Sequence, residues 1–326
     1  MMYVVGFDIG GTKCAVLIAK IAQGKVDFLS RSQICTEGSW QSILDRLCEI
    51  YECQLALLEL SKQDITAAGV SCGGPLSSEK GLILSPPNLP GWDSVPVCAY
   101  LGERLGVPVR LMNDADACAV AEWKFGAGAG KKNMIFLTFG TGLGAGLILN
   151  GALYSGTNDM AGEVGHVRLE KDGPVGYNKA GSFESFCSGA GIRQIAQKYA
   201  AKCLNHGDPV SFCRDADFIP KIDAKRVIEC AEEGHEDAIA ILRETGAYFG
   251  KGLAVLVDIL NPELIVAGSV FVRAHKFLYD SAMETLKAEA LGASLAVCRL
   301  APAMLGEKIG DYAAVVAATR GQDEII

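Results

Sequence analysis

Two glycine-rich turns in the sequence could each bind a phosphate group. Asp8-Ile9-Gly10-Gly11-Thr12-Lys13 and Phe139-Gly140-Thr141-Gly142-Leu143-Gly144 each join two apolar runs. Glycine lets backbone N–H groups approach an anion without side-chain obstruction, and threonine adds a hydroxyl donor. The Gly-Lys-Ser/Thr order of a P-loop is absent, and either turn alone is also typical of a plain β-hairpin. Together, the two turns favour a site for the two ends of a polyphosphate.

Two acidic positions near apolar runs could bind Mg²⁺ or accept a proton. Asp8 lies at the end of the first run, where it could hold a hydrated magnesium ion near the phosphates. Asn113-Asp114 ends another run, immediately before a helical pattern. Ligands cluster beyond the carboxyl ends of strands in open α/β sheets, so Asp114 could act as a general base toward a hydroxyl. Capping of the following helix explains this position equally well.

Three further stretches could contact a ligand. Glu163-Val164-Gly165-His166 offers a carboxylate and an imidazole to sugar hydroxyls or a metal, although ordinary loop polarity also explains it. Ala267-Gly268-Ser269 would let a ring or ribose approach the backbone, or it is a plain strand-to-helix turn. The stretch GYNKAGSFESFCSG, residues 176–189, contains Glu184 and Cys187 and could be a metal loop, a substrate loop or a connector.

Strands and helices that position these residues can be predicted from the spacing of apolar residues. Residues 3–9 and 14–20 predict a β-hairpin, and residues 25–34 a third antiparallel strand. The hairpin pattern with its glycine-threonine turn returns at 133–151, which predicts two copies of one α/β unit. The other predicted elements are a helix from Trp40 to about Leu60, a strand within 67–75, a helix over 95–106, a strand over 107–114 followed by a helix, a largely helical stretch after 188, a buried strand over 263–269 and a terminal helix over 308–320.

The composition is typical of a folded protein that binds neither nucleic acid nor membranes. Of the 326 residues, 50% are hydrophobic and 21% are charged, and the net charge of −8 disfavours a general nucleic-acid binder. The apolar stretches are too short for a spanning helix, and the N-terminal run lacks the basic region of a secretory signal. The twelve cysteines form no Cys-x-x-Cys pair, which indicates reduced thiols in a cytoplasmic protein.

Six segments together resemble the ROK family of sugar kinases and related repressors. FDIGGTK, GVSCGGP, SPPNLPGW, VRLMNDADACAVAEWKFGAG, LTFGTGLGAGLILNG and GEVGHV occur in the family's order and spacing, and NPELIVAGS extends the match more loosely. The resemblance implies an actin-like (ribonuclease H-like) ATPase fold, with two α/β domains and ATP and sugar in the cleft between them. With a junction near 114–118, we expect a smaller N-terminal domain of residues 1–115 plus about 308–326, and a larger C-terminal domain of residues 116–307.

The resemblance also implies phosphoryl transfer from MgATP to a hexose hydroxyl, with Asp114 as the catalytic base. We expect the 6-hydroxyl of glucose as acceptor. An N-acetylglucosamine or N-acetylmannosamine kinase and a polyphosphate donor stay open, and a sugar-sensing protein without turnover is the alternative of another class. The implied sugar contacts are Gly73, Gly74, Asn88, Asn113, Asp114, Glu163, His166 and Glu184. The implied nucleotide contacts are Asp8, which would hold Mg²⁺ through water, Gly10, Gly11, Thr12, Lys13, Thr141, Gly142 and Gly268.

The chain departs from the family pattern in one loop. Most members bind zinc through a Cys-x-Cys-Gly-x-x-Gly-Cys-x-Glu loop together with the histidine of the Glu-x-Gly-His run. Val175, Tyr177 and Ser182 stand at the three cysteine positions here, and none is a good zinc ligand. We therefore expect no structural zinc, a loop held by packing of Tyr177 and Phe183, and a His166 that is free to bind sugar.

The expected partners are a small-molecule sugar and a nucleotide. Repressor members of the family carry a helix-turn-helix before the first phosphate turn. Only five residues precede Gly6 here, so we expect no such domain and no nucleic-acid partner. A homodimer is the default expectation, because closed dimers are the commonest oligomers of soluble proteins.

Overall fold

A computed structural model describes residues 1–321, which form fourteen strands and ten α-helices. The strands are β1 (Met2–Ile9), β2 (Lys13–Ala22), β3 (Lys25–Cys35), β4 (Ile65–Cys72), β5 (Leu76–Ser77), β6 (Leu82–Ile83), β7 (Val109–Asn113), β8 (Met134–Phe139), β9 (Leu143–Leu149), β10 (Ala152–Leu153), β11 (Val175–Gly176), β12 (Lys179–Ala180), β13 (Leu264–Ala267) and β14 (Arg299–Pro302). The helices are α1 (Trp40–Leu57), α2 (Val97–Leu105), α3 (Asp114–Phe125), α4 (Phe183–Phe186), α5 (Gly189–Asn205), α6 (Ala224–Glu232), α7 (Glu236–Leu260), α8 (Val270–Glu289), α9 (Gly292–Leu295) and α10 (Ile309–Thr319).

The first of two compact units comprises Met1–Gly130, Leu153–Ala161 and the described residues from Leu305 onward. Its five-stranded sheet has the order β3-β2-β1-β4-β7. The strands β1, β2 and β3 pair antiparallel, as predicted, whereas β4 pairs parallel with both β1 and β7. The carboxyl ends of β1, β4 and β7 therefore lie along one edge of the sheet.

Alternation along β1 divides the hydrophobic core of this unit between the two faces of the sheet. Val5 and Phe7 are fully buried in the cluster that contains the apolar sides of α1 and α2. Val4 points to the opposite face, where it joins Ala314 and Ala318 of α10. The helix predicted over 308–320 is thus confirmed, while residues 322–326 of the expected N-terminal domain lie outside the described residues.

Gly69 of β4 contacts the backbone of α10 closely enough to exclude any side chain. A Cβ at this position would overlap the carbonyl oxygen of Ala314 and the backbone nitrogen of Ala318. Neither atom can move without displacing the helix, so we expect Gly69→Ala to lower the free energy of unfolding by about 3 kcal/mol. Urea-induced unfolding measures this effect.

A matched control for Gly69→Ala is Gly102→Ala in the helix α2. A Cβ on Gly102 meets no described atom closer than 3.9 Å. Alanine also has a higher helix propensity than glycine, so this variant should gain about 0.5–1 kcal/mol. Equal losses of stability in the two variants would contradict the close approach of α10 to β4.

The second compact unit comprises Lys131–Ala152 and Gly162–Met304. Its five-stranded sheet has the order β10-β9-β8-β13-β14, in which β8 pairs antiparallel with β9, and β13 pairs parallel with β8 and β14. This is the strand pattern of the first sheet, so the predicted internal repeat is confirmed. The strand β14 was not predicted, because its four residues are exposed or half-buried and lack an apolar pattern.

Long helices account for most of the second unit outside its sheet. The helical stretch predicted after residue 188 is confirmed as α5, α6 and α7, and α8 packs against α7. Close approach of these two helices depends on Gly250, where a Cβ would overlap the carbonyl oxygen of Ala282. None of the helices within residues 1–321 is both long and apolar enough to cross a membrane.

Candidate active site

Three parallel strands of the first unit end beside one another and carry polar or glycine residues there. Asp8 lies near the end of β1, Gly73 and Gly74 follow β4, and Asn113 ends β7. The strand register pairs Asp8 with Ser71 and pairs Cys72 with Asn113. The structure therefore brings these predicted site residues together at one edge of the sheet.

Asn113 is the N-cap of α3 and positions the residues around it. Its Oδ1 accepts hydrogen bonds from the N–H groups of Ala115, at 2.9 Å, and Asp116, at 3.4 Å. Its Nδ2 faces Gly74, where an added Cβ would lie 3.1 Å away. The cap uses the amide oxygen, so the amide nitrogen can donate to a ligand on the Gly74 side.

Asp114 follows in the first turn of α3, with its two carboxylate oxygens in different surroundings. Oδ1 accepts a hydrogen bond from the N–H of Ala115 at 2.8 Å. Oδ2 is 3.7 Å from the position of a Cβ on Gly73, and no other described atom outside the adjoining residues lies within 4 Å of that position. The side chain reaches solvent, yet desolvation by the surrounding protein raises the pKa of Asp114. A carboxylate held by one oxygen and open at the other can accept a proton from a hydroxyl.

Asp8 lies close to Asp114 and to the start of α10. Desolvation, followed by repulsion from Asp114 and Asp311, raises the pKa of Asp8 from 3.8 to about 6, although Arg31 opposes the shift. A Cβ on Gly310 would lie 2.9 Å from Oδ2 of Asp8. Two carboxylates that repel each other fit a divalent cation, and Mg²⁺ needs only one or two carboxylates besides water and phosphate oxygens.

Sequence reasoning missed the ion pair beside Asp8. Nε of Arg31 donates to Oδ1 of Asp311 at 2.7 Å, across 280 positions of the chain. No motif links a residue of β3 to one of the terminal helix, and only the fold brings them together. The pair places a positive and a negative charge where both change the pKa of Asp8.

The first glycine turn is closed by a backbone hydrogen bond and contacts one predicted sugar neighbour. The N–H of Gly10 donates to the carbonyl of Lys13 at 3.1 Å. A Cβ on Gly11 would overlap the carbonyl oxygen of Asn88, so only glycine fits there. Thr12 and Lys13 are exposed. Asn88 therefore lies against the first turn, within the first unit.

The second glycine turn, residues 140–142, lies against two other segments of the second unit. The N–H of Gly189, the first residue of α5, donates to the carbonyl of Gly140 at 2.8 Å. A Cβ on Gly140 would lie 3.8 Å from Oγ of Ser269, which follows Gly268. Thr141 and Gly142 thus lie near the amino end of a 17-residue helix, where the helix dipole favours anions.

Ser269 lies in the turn between β13 and α8, in a backbone conformation that serine rarely adopts. Its φ of 50° and ψ of −109° are favourable for glycine and strained for a serine. Its Oγ accepts a hydrogen bond from Arg273 at 3.3 Å, one turn along α8.

Glu184 contacts the second glycine turn. Its Oε2 accepts a hydrogen bond from the N–H of Leu143 at 2.9 Å, and this oxygen is 2.7 Å from the Cβ position of Gly142. Its Oε1 is 3.1 Å from the Cβ position of Gly176. This carboxylate, which sequence reasoning assigned to sugar, therefore has one oxygen committed to the backbone of the turn.

The Glu-x-Gly-His run lies beside Glu184. A Cβ on Gly165 would overlap the carbonyl oxygen of Leu143 and would lie 3.1 Å from the Cβ of Glu184. Glu163 is exposed and His166 is half-buried on either side of this glycine. The structure thus brings Glu163, His166, Glu184 and the second turn together in the second unit.

Packing and hydrogen bonds hold the loop in which the family's cysteines are replaced. Phe183 is 1% exposed and packs against Gly252 and Phe249, so it is confirmed as an anchor. The expectation for Tyr177 is wrong, because its side chain is 61% exposed, and its ring makes an edge-to-face contact with the ring of His166, with the centroids 5.0 Å apart. Because the Tyr177 side chain lies mostly in water, it contributes little packing to the loop.

The second anchor of this loop was missed in the sequence. Phe186 stacks on Tyr248 of α7 with ring centroids 3.7 Å apart. The backbone of Val175 also exchanges two hydrogen bonds with the side chain of Gln194, at 2.9 and 2.8 Å. Tyr248 lies 62 residues after Phe186, and the contact between Val175 and Gln194 depends on how α5 packs, so a local pattern reveals neither.

The residues at the three cysteine positions do not fit a zinc ion. Ser182 is buried and caps α4, Val175 is bonded through its backbone, and Tyr177 faces solvent. Within residues 1–321, no three His, Cys, Asp or Glu side chains come close enough to share a metal ion. Absence of zinc stays a prediction, for which metal analysis of the purified protein should give less than one zinc per chain.

Comparisons with known proteins show the family and the fold of the chain. The ROK family model matches residues 4–319. A glucokinase from Thermotoga maritima is 29% identical over 282 residues, 86% of each chain. A xylose repressor from Caldicellulosiruptor bescii is 27% identical over 267 residues, 82% of this chain and 65% of the repressor. The structure of a ROK family glucokinase from Streptomyces griseus in complex with glucose and AMPPNP matches with a TM-score of 0.76 and 26% identity, over 98% of this chain and 100% of that one. The chain therefore belongs to the ROK family and has the actin-like ATPase fold of its kinases.

Proposed function

We propose that the protein is a sugar kinase that transfers the γ-phosphoryl group of MgATP to the 6-hydroxyl of a hexose, with glucose as the preferred acceptor. The observation that carries the proposal is the Asp114 carboxylate, with one oxygen bonded to Ala115 and the other facing the open position beside Gly73. That arrangement suits a base toward a hydroxyl. The glucokinase names of the relatives support glucose.

Phosphoryl transfer needs mainly positioning and charge stabilisation. The two glycine turns would bind phosphate oxygens through backbone N–H groups, and the amino end of α5 adds its dipole. Asp8 would hold Mg²⁺ through water, and the bound ion would supply neutralisation of the phosphate charge. Of the expected sugar contacts, Nδ2 of Asn113 and the side chains of Glu163 and His166 would orient sugar hydroxyls.

Asp114 would take the proton of the attacking hydroxyl at Oδ2. Desolvation raises its pKa, which makes this carboxylate a stronger base than an aspartate in water. A sugar-sensing protein would need neither this base nor two phosphate turns. Their presence together supports turnover over sensing.

A coupled assay of ADP release across a panel of sugars tests the proposal. The panel contains glucose, mannose, fructose, N-acetylglucosamine and N-acetylmannosamine, with ATP and polyphosphate as alternative donors. We expect the highest kcat/KM with glucose and ATP. Turnover of the N-acetylhexosamines alone would support the sugar kinase activity but contradict glucose as the preferred acceptor. Sugar binding by calorimetry without turnover of any sugar would contradict the proposal and favour a sensor.

A further inference from the structure

We propose that Glu184 is a positioning residue that couples sugar binding to nucleotide binding within the second unit. The inference rests on the proposed kinase function and adds a role beyond a sugar contact. Through its hydrogen bond to Leu143, Glu184 would hold the second phosphate turn in one arrangement when sugar is bound. Sugar and nucleotide would then raise each other's affinity.

Leu143 is the point at which the three segments meet. It is the first residue of β9 and directly follows Gly142 of the phosphate turn. Its N–H donates to Oε2 of Glu184 at 2.9 Å, and its carbonyl oxygen lies against Gly165 of the Glu-x-Gly-His run. One peptide segment thus contacts both the sugar-side residues and the phosphate turn.

The fit around Glu184 leaves little room for independent movement. A Cβ added to Gly142 would lie 2.7 Å from Oε2 of Glu184, and a Cβ added to Gly176 would lie 3.1 Å from its Oε1. A Cβ added to Gly165 would lie 3.1 Å from the Cβ of Glu184. Glycine backbone therefore surrounds this side chain on three sides. Close-packed groups are displaced together, so a shift of Glu184 is transmitted to the turn.

The carboxylate has capacity for both tasks at once. An ionised carboxylate can accept about four hydrogen bonds through its two oxygens. Oε2 is bonded to the turn, which leaves Oε1 as the oxygen to which a bound sugar hydroxyl would donate. A sugar bound at Oε1 would restrict the side chain and with it the N–H of Leu143. The first ligand to bind bears the loss of conformational entropy, so the second ligand binds with a smaller entropic cost.

The coupling is measured as the ratio of AMPPNP dissociation constants without and with saturating glucose, in the presence of Mg²⁺. For the unsubstituted protein we expect a ratio of about ten. By reciprocity, AMPPNP should tighten glucose binding by the same factor. Isothermal titration calorimetry provides both values without any turnover, so the result does not depend on the kinase assay.

Three variants separate the two roles of Glu184. Glu184→Gln keeps an oxygen that can accept from Leu143, so it should weaken glucose binding and retain most of the coupling ratio. Glu184→Ala removes both contacts, so its ratio should fall to about one. The matched control is Glu263→Ala, because Glu263 also accepts from backbone N–H groups of this unit, those of Lys132 and Asn133 at 2.7 and 3.0 Å. Its coupling ratio should be unchanged.

The inference is overturned if Glu184→Ala binds glucose more weakly but keeps the full ratio, since Glu184 would then be a sugar ligand only. It is also overturned if the unsubstituted protein shows a ratio of one, or if Glu184→Gln and Glu184→Ala lose coupling equally. Failure of the proposed function has a different signature, which is coupled binding of glucose and AMPPNP without ADP release. Thermal unfolding of each variant establishes that it is folded before its ratio is compared.

Discussion

Asp114→Asn is expected to lower kcat by about 10²- to 10⁴-fold while leaving glucose affinity within a few-fold of the unsubstituted value. Asparagine has nearly the same shape as aspartate, and its oxygen can still accept the hydrogen bond from the N–H of Ala115. It cannot take a proton from a hydroxyl, because an amide is not basic at neutral pH. The loss should therefore appear in kcat and not in binding.

Steady-state kinetics and calorimetric glucose binding measure the two sides of this expectation. The control is Asp116→Asn in the same first turn of α3. Asp116 is buried, desolvation raises its pKa to about 6, and its Oδ2 accepts from Oγ of Ser155 at 2.7 Å. The kcat of Asp116→Asn should stay within about tenfold of that of the unsubstituted protein. A normal kcat in Asp114→Asn would contradict the role of Asp114 as the base. Equal losses of kcat in Asp114→Asn and Asp116→Asn would indicate that both substitutions act by disturbing the first turn of α3.

Asp8→Asn is expected to change activity and stability in opposite directions. Activity should fall by about 100-fold or more, because the proposed contact to hydrated Mg²⁺ loses its charge. Stability of the ligand-free protein at pH 7.5 should rise, because desolvation, then repulsion from Asp114 and Asp311, raises the pKa of Asp8 to about 6. The folded state binds this proton more tightly than the unfolded chain does, so ionised Asp8 destabilises the fold.

The pH dependence of this stability gain follows from the same shift. The penalty of ionised Asp8 is complete above pH 6 and disappears as the pH falls from about 6 to about 4. The rise of the Asp8 pKa from 3.8 to about 6 corresponds to about 3 kcal/mol, so the melting temperature of Asp8→Asn should exceed that of the unsubstituted protein by several degrees at pH 7.5. The difference should shrink toward zero near pH 4. Thermal unfolding in chelator across this range measures it.

Asp64→Asn is the matched control of opposite sign. Hydrogen bonds from the side chain and backbone of Ser61 lower the pKa of Asp64, so its ionised form stabilises the fold. The substitution should reduce the melting temperature slightly at pH 7.5 and have no effect below the lowered pKa. A lower melting temperature for Asp8→Asn at pH 7.5 would contradict the raised pKa of Asp8.

Local sequence patterns predicted the elements that carry the site, because each depends on contacts between near neighbours. The hairpin around Gly10 and the strand that ends at Asn113 were read from alternating or continuous apolar runs. The same patterns place Asp8 near the end of β1 and Asp114 directly after β7, and these two strands run parallel in one sheet on either side of β4. Their carboxyl ends therefore lie at the same edge of the sheet.

Features that depend on distant parts of the chain could not be predicted in this way. The Arg31–Asp311 pair and the stacking of Phe186 on Tyr248 join segments that no local pattern connects. The first compact unit also continues to Gly130 and takes in Leu153–Ala161, beyond the junction expected near 114–118. The packing of α3 against α10 determines which segments belong to the first unit. The spacing of apolar residues predicts only that each helix has a buried face, not what that face packs against.

The loop from β11 to α4 has a consequence for how the protein matures in the cell. A loop shaped by a structural metal is complete only after the ion has been delivered, since metal binding supplies part of the folding energy. Here Phe183, the Phe186–Tyr248 stack and the Gln194 hydrogen bonds form as the chain folds. If the predicted absence of zinc holds, newly made protein would be competent without a metallation step, and starvation of the cell for zinc would leave its supply of active molecules unchanged.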